Sequence, residues 1–222
     1  MGSIIRRDGA AEDIIADGQT TQMNANARGG VWQELATARL ATAIGLAQSI
    51  ESQLSDAKKT LAPLEADVDA LNIRADKTLG KVYDIIWNEI GRPGYDAALA
   101  VIFPDGIAYY AQGDTDGQPD RMDILVQLLQ SGLHPKLSKA TGNACAAEVQ
   151  SEADALRNAV DAVRKPSAKV KVLGRVRTAL AKVVHSELSN LKRMYKVQGF
   201  SEAEIHTVIP DRPVKSGKKG DE

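Results

Sequence analysis

The chain has 222 residues and carries 28 Lys and Arg against 29 Asp and Glu, a formal net charge of −1 at pH 7. This length suffices for one large domain or two small ones with a sizeable core. Aromatic residues are few (two Trp, five Tyr and two Phe) and alanine is frequent, which favours closely packed helices over a β-sandwich. The absence of any run of about 18 apolar residues excludes a membrane span. The single cysteine and the lack of an apolar signal core indicate a cytoplasmic protein without disulfides.

Charge is distributed unevenly along the chain. Residues 1–134 contain 11 basic and 19 acidic residues, a net charge of −8, whereas residues 135–222 contain 17 basic and 10 acidic residues, a net charge of +7. We therefore expect the two halves to attract each other, either within one chain or between chains.

The two ends of the sequence differ in composition from the rest. Residues 1–30 are polar and glycine-rich and are predicted to form a flexible leader, the alternative being a docking segment anchored by the isoleucine pairs at 4–5 and 14–15. Residues 214–222 are predicted to be a disordered tail.

Two stretches, 79–105 and 180–211, resemble each other and indicate an internal duplication. Each contains Leu-x-Lys-Val, then glycine followed by an aromatic residue, and finally Pro-Asp. We therefore predict helical repeats at 31–106 and 135–213, separated by an inserted loop and helix at 107–134. The matched positions are Leu79 with Leu180, Lys81 with Lys182, Val82 with Val183, Gly94-Tyr95 with Gly199-Phe200, and Pro104-Asp105 with Pro210-Asp211.

A heptad pattern of apolar residues runs through the first repeat and contains a proline. Either Pro63 opens a new helix that folds back on the previous one, or a single helix of nearly 60 residues runs through a kink. Lys58 and Lys59 before Pro63 and three acids after it suit a helix end followed by a helix start, so we predict a hairpin. Pro166 occupies the matching place in the second repeat. The heptad positions are Ile50, Leu54, Ala57, Leu61, Leu64, Val68, Leu71 and Ala75.

The predicted fold is therefore all-α, with two internally duplicated helical hairpins packed as a pseudo-twofold four-helix bundle. The alternative is a pair of long Pro-kinked coiled-coil helices. A short helix is predicted at 96–102, and Ser201 and Glu204 have capping-box spacing at the start of its counterpart. Within the insertion, a brief strand is predicted at 107–111 and a helix at 120–131.

No residue pattern nominates a catalytic, cofactor or metal site. The acidic loop 114–120 has its glycine in the wrong place for an EF-hand, and the histidines at 134, 185 and 206 lack metal-ligand spacing. Motifs that pair a nucleophile with a base are missing as well. We therefore expect a protein that is not an enzyme and uses no cofactor. An unfamiliar site near Glu187 or the two Pro-Asp segments is the minor alternative.

Glu187 is unusual because it falls within the apolar arc predicted for the fourth long helix. A carboxylate at a core position needs a partner or a proton. We expect an ion pair with an Arg or Lys of a neighbouring helix. The predicted arc consists of Leu173, Val176, Leu180, Val183, Leu191 and Met194.

The clearest chemical signal is a row of basic residues on the same helix, which we call the basic stripe. Residues 164–196 contain ten Lys and Arg and one acid. Six of the basic residues fall within about 60° of one another at 3.6 residues per turn. The simplest interpretation is a solvated outer face; the functional one is a surface that binds an acidic protein or phosphates. The stripe consists of Arg164, Lys171, Arg175, Lys182, Arg193 and Lys196.

These patterns predict a non-enzymatic structural or interaction protein. It is expected to form a homo-oligomer through its complementary acidic and basic halves. The alternative is a nucleic-acid-binding accessory protein that uses the basic stripe. Binding to a membrane surface is disfavoured because the apolar face of the basic helix lacks the Trp and Phe residues that anchor such helices.

Overall fold

The structure, a computed structural model, describes residues 9–210. Almost all regular structure among these residues is helical, which confirms the predicted all-helical class. A 3-10 turn at Thr115–Gly117 precedes α5. The elements are α1 (Ala11–Arg28), α2 (Gly30–Glu89), α3 (Ala97–Ile102), β1 (Pro104–Ile107), α4 (Ala108–Ala111), α5 (Gln118–Gln130), α6 (Lys139–Val197) and α7 (Glu202–His206). The predicted tail at 214–222 and the isoleucines at 4 and 5 lie outside the described residues.

The two longest helices continue through their prolines. Helix α2 has 60 residues and contains Pro63, and helix α6 has 59 residues and contains Pro166. The predicted hairpins at these positions are therefore wrong, and the alternative of long helices is the one found. Pro63 lies on the exposed side of α2, so its ring removes one backbone hydrogen bond without disturbing the packed side. The predicted heptad positions are all buried or half-buried.

The matched positions of the predicted duplication differ in their surroundings. Tyr95 is 82% exposed, whereas Phe200 is half-buried. Val82 is completely buried, whereas Val183 is 47% exposed. The duplication and the pseudo-twofold four-helix bundle are therefore not confirmed.

The ends of α2 and α6 nevertheless share one local geometry. Each is followed by a glycine in the left-handed region, Gly91 at φ 92° and Gly199 at φ 88°, as expected for helix C-termini. Gly91, and not the predicted Gly94, thus has the backbone conformation of Gly199. Asp96 then caps α3, and Ser201 caps α7 in the predicted capping box.

The chain divides into two compact units. We call Met1–Ala57 together with Lys169–Glu222 the terminal unit, and Lys58–Ala168 the middle unit. In the terminal unit, the first part of α2 and the last part of α6 run antiparallel. Arg39 lies against Glu187, for example, while Glu51, further along α2, lies against the earlier Arg177.

Helix α1 packs on the terminal unit. Ile14 and Ile15 are 4% and 3% exposed and belong to the same core as α2 and α6. Gly18 allows α1 to approach closely, since a Cβ at this position would lie 2.6 Å from Val184 Cγ1. The prediction of a flexible leader is therefore wrong for residues 11–28, which form a packed helix.

The middle unit pairs the last part of α2 with the first part of α6, again antiparallel. Lys81 binds Glu148 at 2.8 Å, and Arg74 binds Glu152 at 2.6 Å. Helix α5 covers this pair with its apolar side. The predicted strand at 107–111 is wrong, because β1 ends at Ile107 and the next four residues are helical. The buried residues of α5 include Met122, Leu125, Val126 and Leu129.

Candidate functional site

All six residues of the basic stripe lie on α6 and are exposed. Arg164 belongs to the middle unit and pairs with Asp161 at 2.8 Å. The other five belong to the terminal unit, where Lys196 binds Glu202 at 2.5 Å. The stripe therefore keeps four basic side chains that form no ion pair or hydrogen bond within residues 9–210. These are Lys171, Arg175, Lys182 and Arg193.

Beside these cations, α6 exposes a row of valines. Val172, Val176 and Val183 are 56%, 38% and 47% exposed. Successive residues of a helix are rotated by about 100°, so the three valines fall within an arc of roughly 40°. Each valine directly follows a basic residue in sequence and is therefore rotated by roughly 100° from it. Basic and apolar side chains thus run side by side along one exposed surface. We call this surface the α6 face: Lys171, Val172, Arg175, Val176, Lys182 and Val183.

The buried side of α6 overlaps the predicted arc only at one edge. Leu173 and Leu191 are buried as predicted, but Val176 and Val183 are exposed, and Ala181 and Val184 are buried instead. One residue corresponds to a rotation of about 100°, so a small error of phase exchanges core and surface positions. The sequence signal for the α6 face was the recurring basic-valine dipeptide, at 171, 175 and 182.

Glu187 is paired as predicted. Its Oε2 atom lies 3.6 Å from Arg39 Nη1 on α2, and its side chain is 25% exposed. Oε2 is itself buried and has no hydrogen-bond partner among the described residues. Arg39 Nε lies 3.2 Å from Met194 Sδ and donates to it. The carboxylate therefore joins α2 to α6 within the terminal unit, which is the structural role expected of it.

A polar hollow of about 480 Å³ adjoins the C-terminal part of the stripe. Two of its residues are cationic, and the others carry hydroxyl, amide or imidazole groups. Such a set of donors suits an anion with several oxygen atoms, such as a phosphate group. The hollow is lined by Lys182, His185, Ser186, Ser189, Asn190 and Arg193.

The remaining reactive side chains of the described residues have structural surroundings. His134 Nε2 lies 3.1 Å from Asp96 Oδ1, and Asp114 pairs with Arg121 at 3.4 Å. Burial, followed by nearby carboxylates, raises the pKa of the Cys145 thiol. Within residues 9–210, no three His, Cys, Asp or Glu side chains are grouped in a way that suits a metal ion. The same residues include no helix with the length and apolar character needed to cross a membrane.

No protein-family model, curated protein or solved structure matches the chain.

Proposed function

We propose that this protein is a non-enzymatic helical interaction protein that self-associates, the α6 face of one copy docking on an acidic helix segment of a second copy. The observation that carries the proposal is the row of exposed valines beside Lys171, Arg175 and Lys182, whose charges have no counter-charge within residues 9–210. Isolated exposed valines are ordinary, but a row of them beside uncompensated cations suits an acidic and partly apolar partner.

The middle unit supplies such a partner on α2. Glu65, Asp69 and Ile73 are exposed and spaced four residues apart, so they share one side of the helix. Ile73 is 55% exposed, and the two carboxylates form no ion pair or hydrogen bond within the described residues. We call these three residues the α2 face. Docking would bury Ile73 against the valines, at about 25 cal/mol per Å² of apolar surface, while the charges select and steer the partner.

The net charges of the two units favour the same pairing. The middle unit has 12 basic and 16 acidic residues, a net charge of −4, and the terminal unit has 16 basic and 13 acidic residues, a net charge of +3. A terminal unit of one copy and a middle unit of another therefore attract each other over distances of about 10 Å at moderate salt.

Sedimentation velocity over a concentration series tests the proposal. At about 50 mM NaCl we expect a dimer whose dissociation constant rises at about 500 mM NaCl, because salt screens the charges. The double variant Arg175→Glu/Lys182→Glu should be monomeric under both conditions. A protein that stays monomeric at every concentration in low salt would contradict the proposal.

A matched control separates the α6 face from net charge. Lys136 and Lys139 are exposed residues of the middle unit whose side-chain ammonium groups form no ion pair or hydrogen bond within residues 9–210. The variant Lys136→Glu/Lys139→Glu changes the net charge by the same amount as the first variant. It should dimerise like the wild type, and an equal loss of dimer would show that the α6 face has no special role.

The polar hollow favours a second candidate function, which is binding of a nucleic-acid backbone. Arg193 and Lys182 both line the hollow and lie on the basic stripe. Fluorescence anisotropy with a labelled DNA duplex at about 50 mM NaCl should then show binding that weakens steeply with salt. The variant Arg193→Gln should reduce affinity for all sequences alike. Absence of binding in low salt would end this alternative.

A further inference from the structure

The middle unit contains a pocket of about 460 Å³ whose lining is unusually aromatic. The chain has only nine aromatic residues (two Trp, five Tyr and two Phe), and four of them line this one pocket. The pocket lies where the end of α2 meets the loop that leads into α3. Its volume is within the range of small-molecule sites, about 300–1,000 Å³. The four aromatic residues are Tyr83, Trp87, Tyr95 and Phe103.

Local contacts fix the walls of the pocket. Trp87 Nε1 donates to the carbonyl oxygen of Pro93 at 3.2 Å and so ties the loop to α2. Phe103 is 3% exposed and meets the ring of Tyr83 edge-on, with 5.0 Å between the ring centres. Tyr95 is 82% exposed and is therefore the most accessible of the four rings. Three rings are thus held by the fold, and the fourth is open to solvent.

The pocket also carries negative charge. The Asp84 carboxylate is exposed and forms no ion pair or hydrogen bond within the described residues. Asp96 caps α3, and the backbone hydrogen bond from Leu99 above all lowers its pKa below the ordinary value, so this carboxylate is ionised at neutral pH. Aromatic ring faces add the negative end of their quadrupole. Rings and carboxylates together favour a cation over a neutral or anionic ligand.

In the terminal unit, a cation of the chain itself lies beside an aromatic ring. The Arg28 guanidinium lies 4.7 Å from the centre of the Trp32 ring, which stacks on Phe200. Hydrogen bonds from Ser201 and, in addition, the charge of Arg28 lower the pKa of Glu204. In this protein, an aromatic ring therefore does stack with a guanidinium cation of the chain itself.

One cation of the middle unit lies near a ring of the pocket without lining the pocket. Arg92 lies 5.7 Å from the Trp87 ring centre, but its Nε donates to Asn88 Oδ1 at 2.7 Å, and Arg92 is not a lining residue. The aromatic pocket is thus open to a cation from outside the chain.

We propose that the aromatic pocket of the middle unit binds a quaternary ammonium head group, which the rings enclose and Asp84 neutralises. The head group has two sources with the same chemistry, a free trimethylammonium compound or the trimethyllysine side chain of a protein. This site is separate from the α6 face and does not depend on self-association.

Titration of the ¹⁵N-labelled full chain tests the site, because the two tryptophans give two indole N–H signals in an ¹H–¹⁵N correlation spectrum. Choline is the probe, and 3,3-dimethylbutan-1-ol is its uncharged counterpart of similar shape. Choline should shift the Trp87 indole signal and leave that of Trp32 unchanged, and the alcohol should shift neither. A trimethyllysine peptide that binds more tightly than choline would identify a protein source, and equal or weaker binding would identify a free compound.

Two exposed residues allow variants that leave the core untouched. Tyr95→Ala and Asp84→Asn should each weaken choline binding by about 2- to 30-fold, the range expected from cation–π and exposed charge contacts. Asp116→Asn is the control, because Asp116 is an exposed acid of the same unit outside the pocket and should leave the affinity unchanged. Equal shifts with choline and the alcohol, no shift at about 10 mM choline, or unchanged affinity in both variants would overturn the proposal.

Discussion

At the scale of single residues, the packing of α1 depends on Gly18, which has no side chain. A Cβ added at Gly18 would lie 2.6 Å from Val184 Cγ1 and 3.7 Å from Ile44. We expect Gly18→Ala to lower the free energy of unfolding by about 1–3 kcal/mol, because the core must move to accept the methyl group. The gain in helix propensity, about 0.5–1 kcal/mol, offsets part of this loss.

Gly45 provides the matched control within the same unit. It lies inside α2, and a Cβ there would meet nothing within 4 Å. Gly45→Ala should therefore raise the free energy of unfolding by about 0.5–1 kcal/mol. Urea unfolding of the two variants measures both effects. Equal stabilisation by both substitutions would show that α1 does not approach α6 as closely as the structure has it.

A second residue-scale prediction concerns Glu202 at the start of α7. Hydrogen bonds from Lys196 and then Lys192 lower the pKa of Glu202 from 4.5 to about 2. A carboxylate whose pKa is lower in the folded state stabilises the fold fully above pH 4.5 and progressively less as the pH falls towards 2.

Thermal unfolding of Glu202→Gln checks this pH dependence. Its Tm should lie below that of the wild type at pH 7, and the difference should shrink at pH 3. Glu34→Gln, which removes an exposed acid without an ion-pair partner among the described residues, should match the wild type at both pH values. A Tm difference for Glu202→Gln that is the same at pH 7 and pH 3 would contradict the assignment.

At the scale of the elements, helix ends were predictable from sequence because their signals are local. The capping box of Ser201 and Glu204 acts within one turn of chain and appears in the structure as predicted, and the short helix predicted at 96–102 begins one residue later, with Asp96 as its cap. Local signals did not predict that helix α2 continues through Pro63. A proline inside a helix costs about 3 kcal/mol, and whether the helix continues depends on apolar contacts with another part of the chain.

The same reasoning makes Pro63 a test of helix continuity. Because its ring lies on the exposed side of a continuous helix, Pro63→Ala should raise the free energy of unfolding by up to about 3 kcal/mol. Pro104→Ala replaces an exposed proline outside a helix and should give no comparable gain. Urea unfolding measures both variants. A destabilised Pro63→Ala protein would indicate a turn at this position.

Helix geometry explains why the exposure of the basic stripe could be predicted from sequence, whereas the exposure of the neighbouring valines could not. A stripe of charges can be read from spacing alone, because lysine and arginine are exposed wherever the helix surface is free. Spacing alone could not predict whether the valines at 176 and 183 lie in the core or on the surface, since valine occurs in both places. Only the observed burial of Val184 and Ala181 settles which side of α6 faces the core.

At the scale of the whole molecule, the opposite charges of the two sequence halves have two consequences. Within the units they form helix-to-helix pairs, such as Arg177 with Glu12 at 2.6 Å. Within the described residues, the cations of the α6 face and the carboxylates of the α2 face remain without ion-pair partners. We propose that these two surfaces bind each other between copies.

Mixing two charge-reversed proteins tests that claim most directly. Arg175→Glu/Lys182→Glu makes the α6 face acidic, and Glu65→Lys/Asp69→Lys makes the α2 face basic. Each variant alone then opposes like charges and should sediment as a monomer at about 50 mM NaCl, while an equimolar mixture should form a dimer. A mixture of the two folded variants that remains monomeric, or a single variant that dimerises like the wild type, would contradict the account.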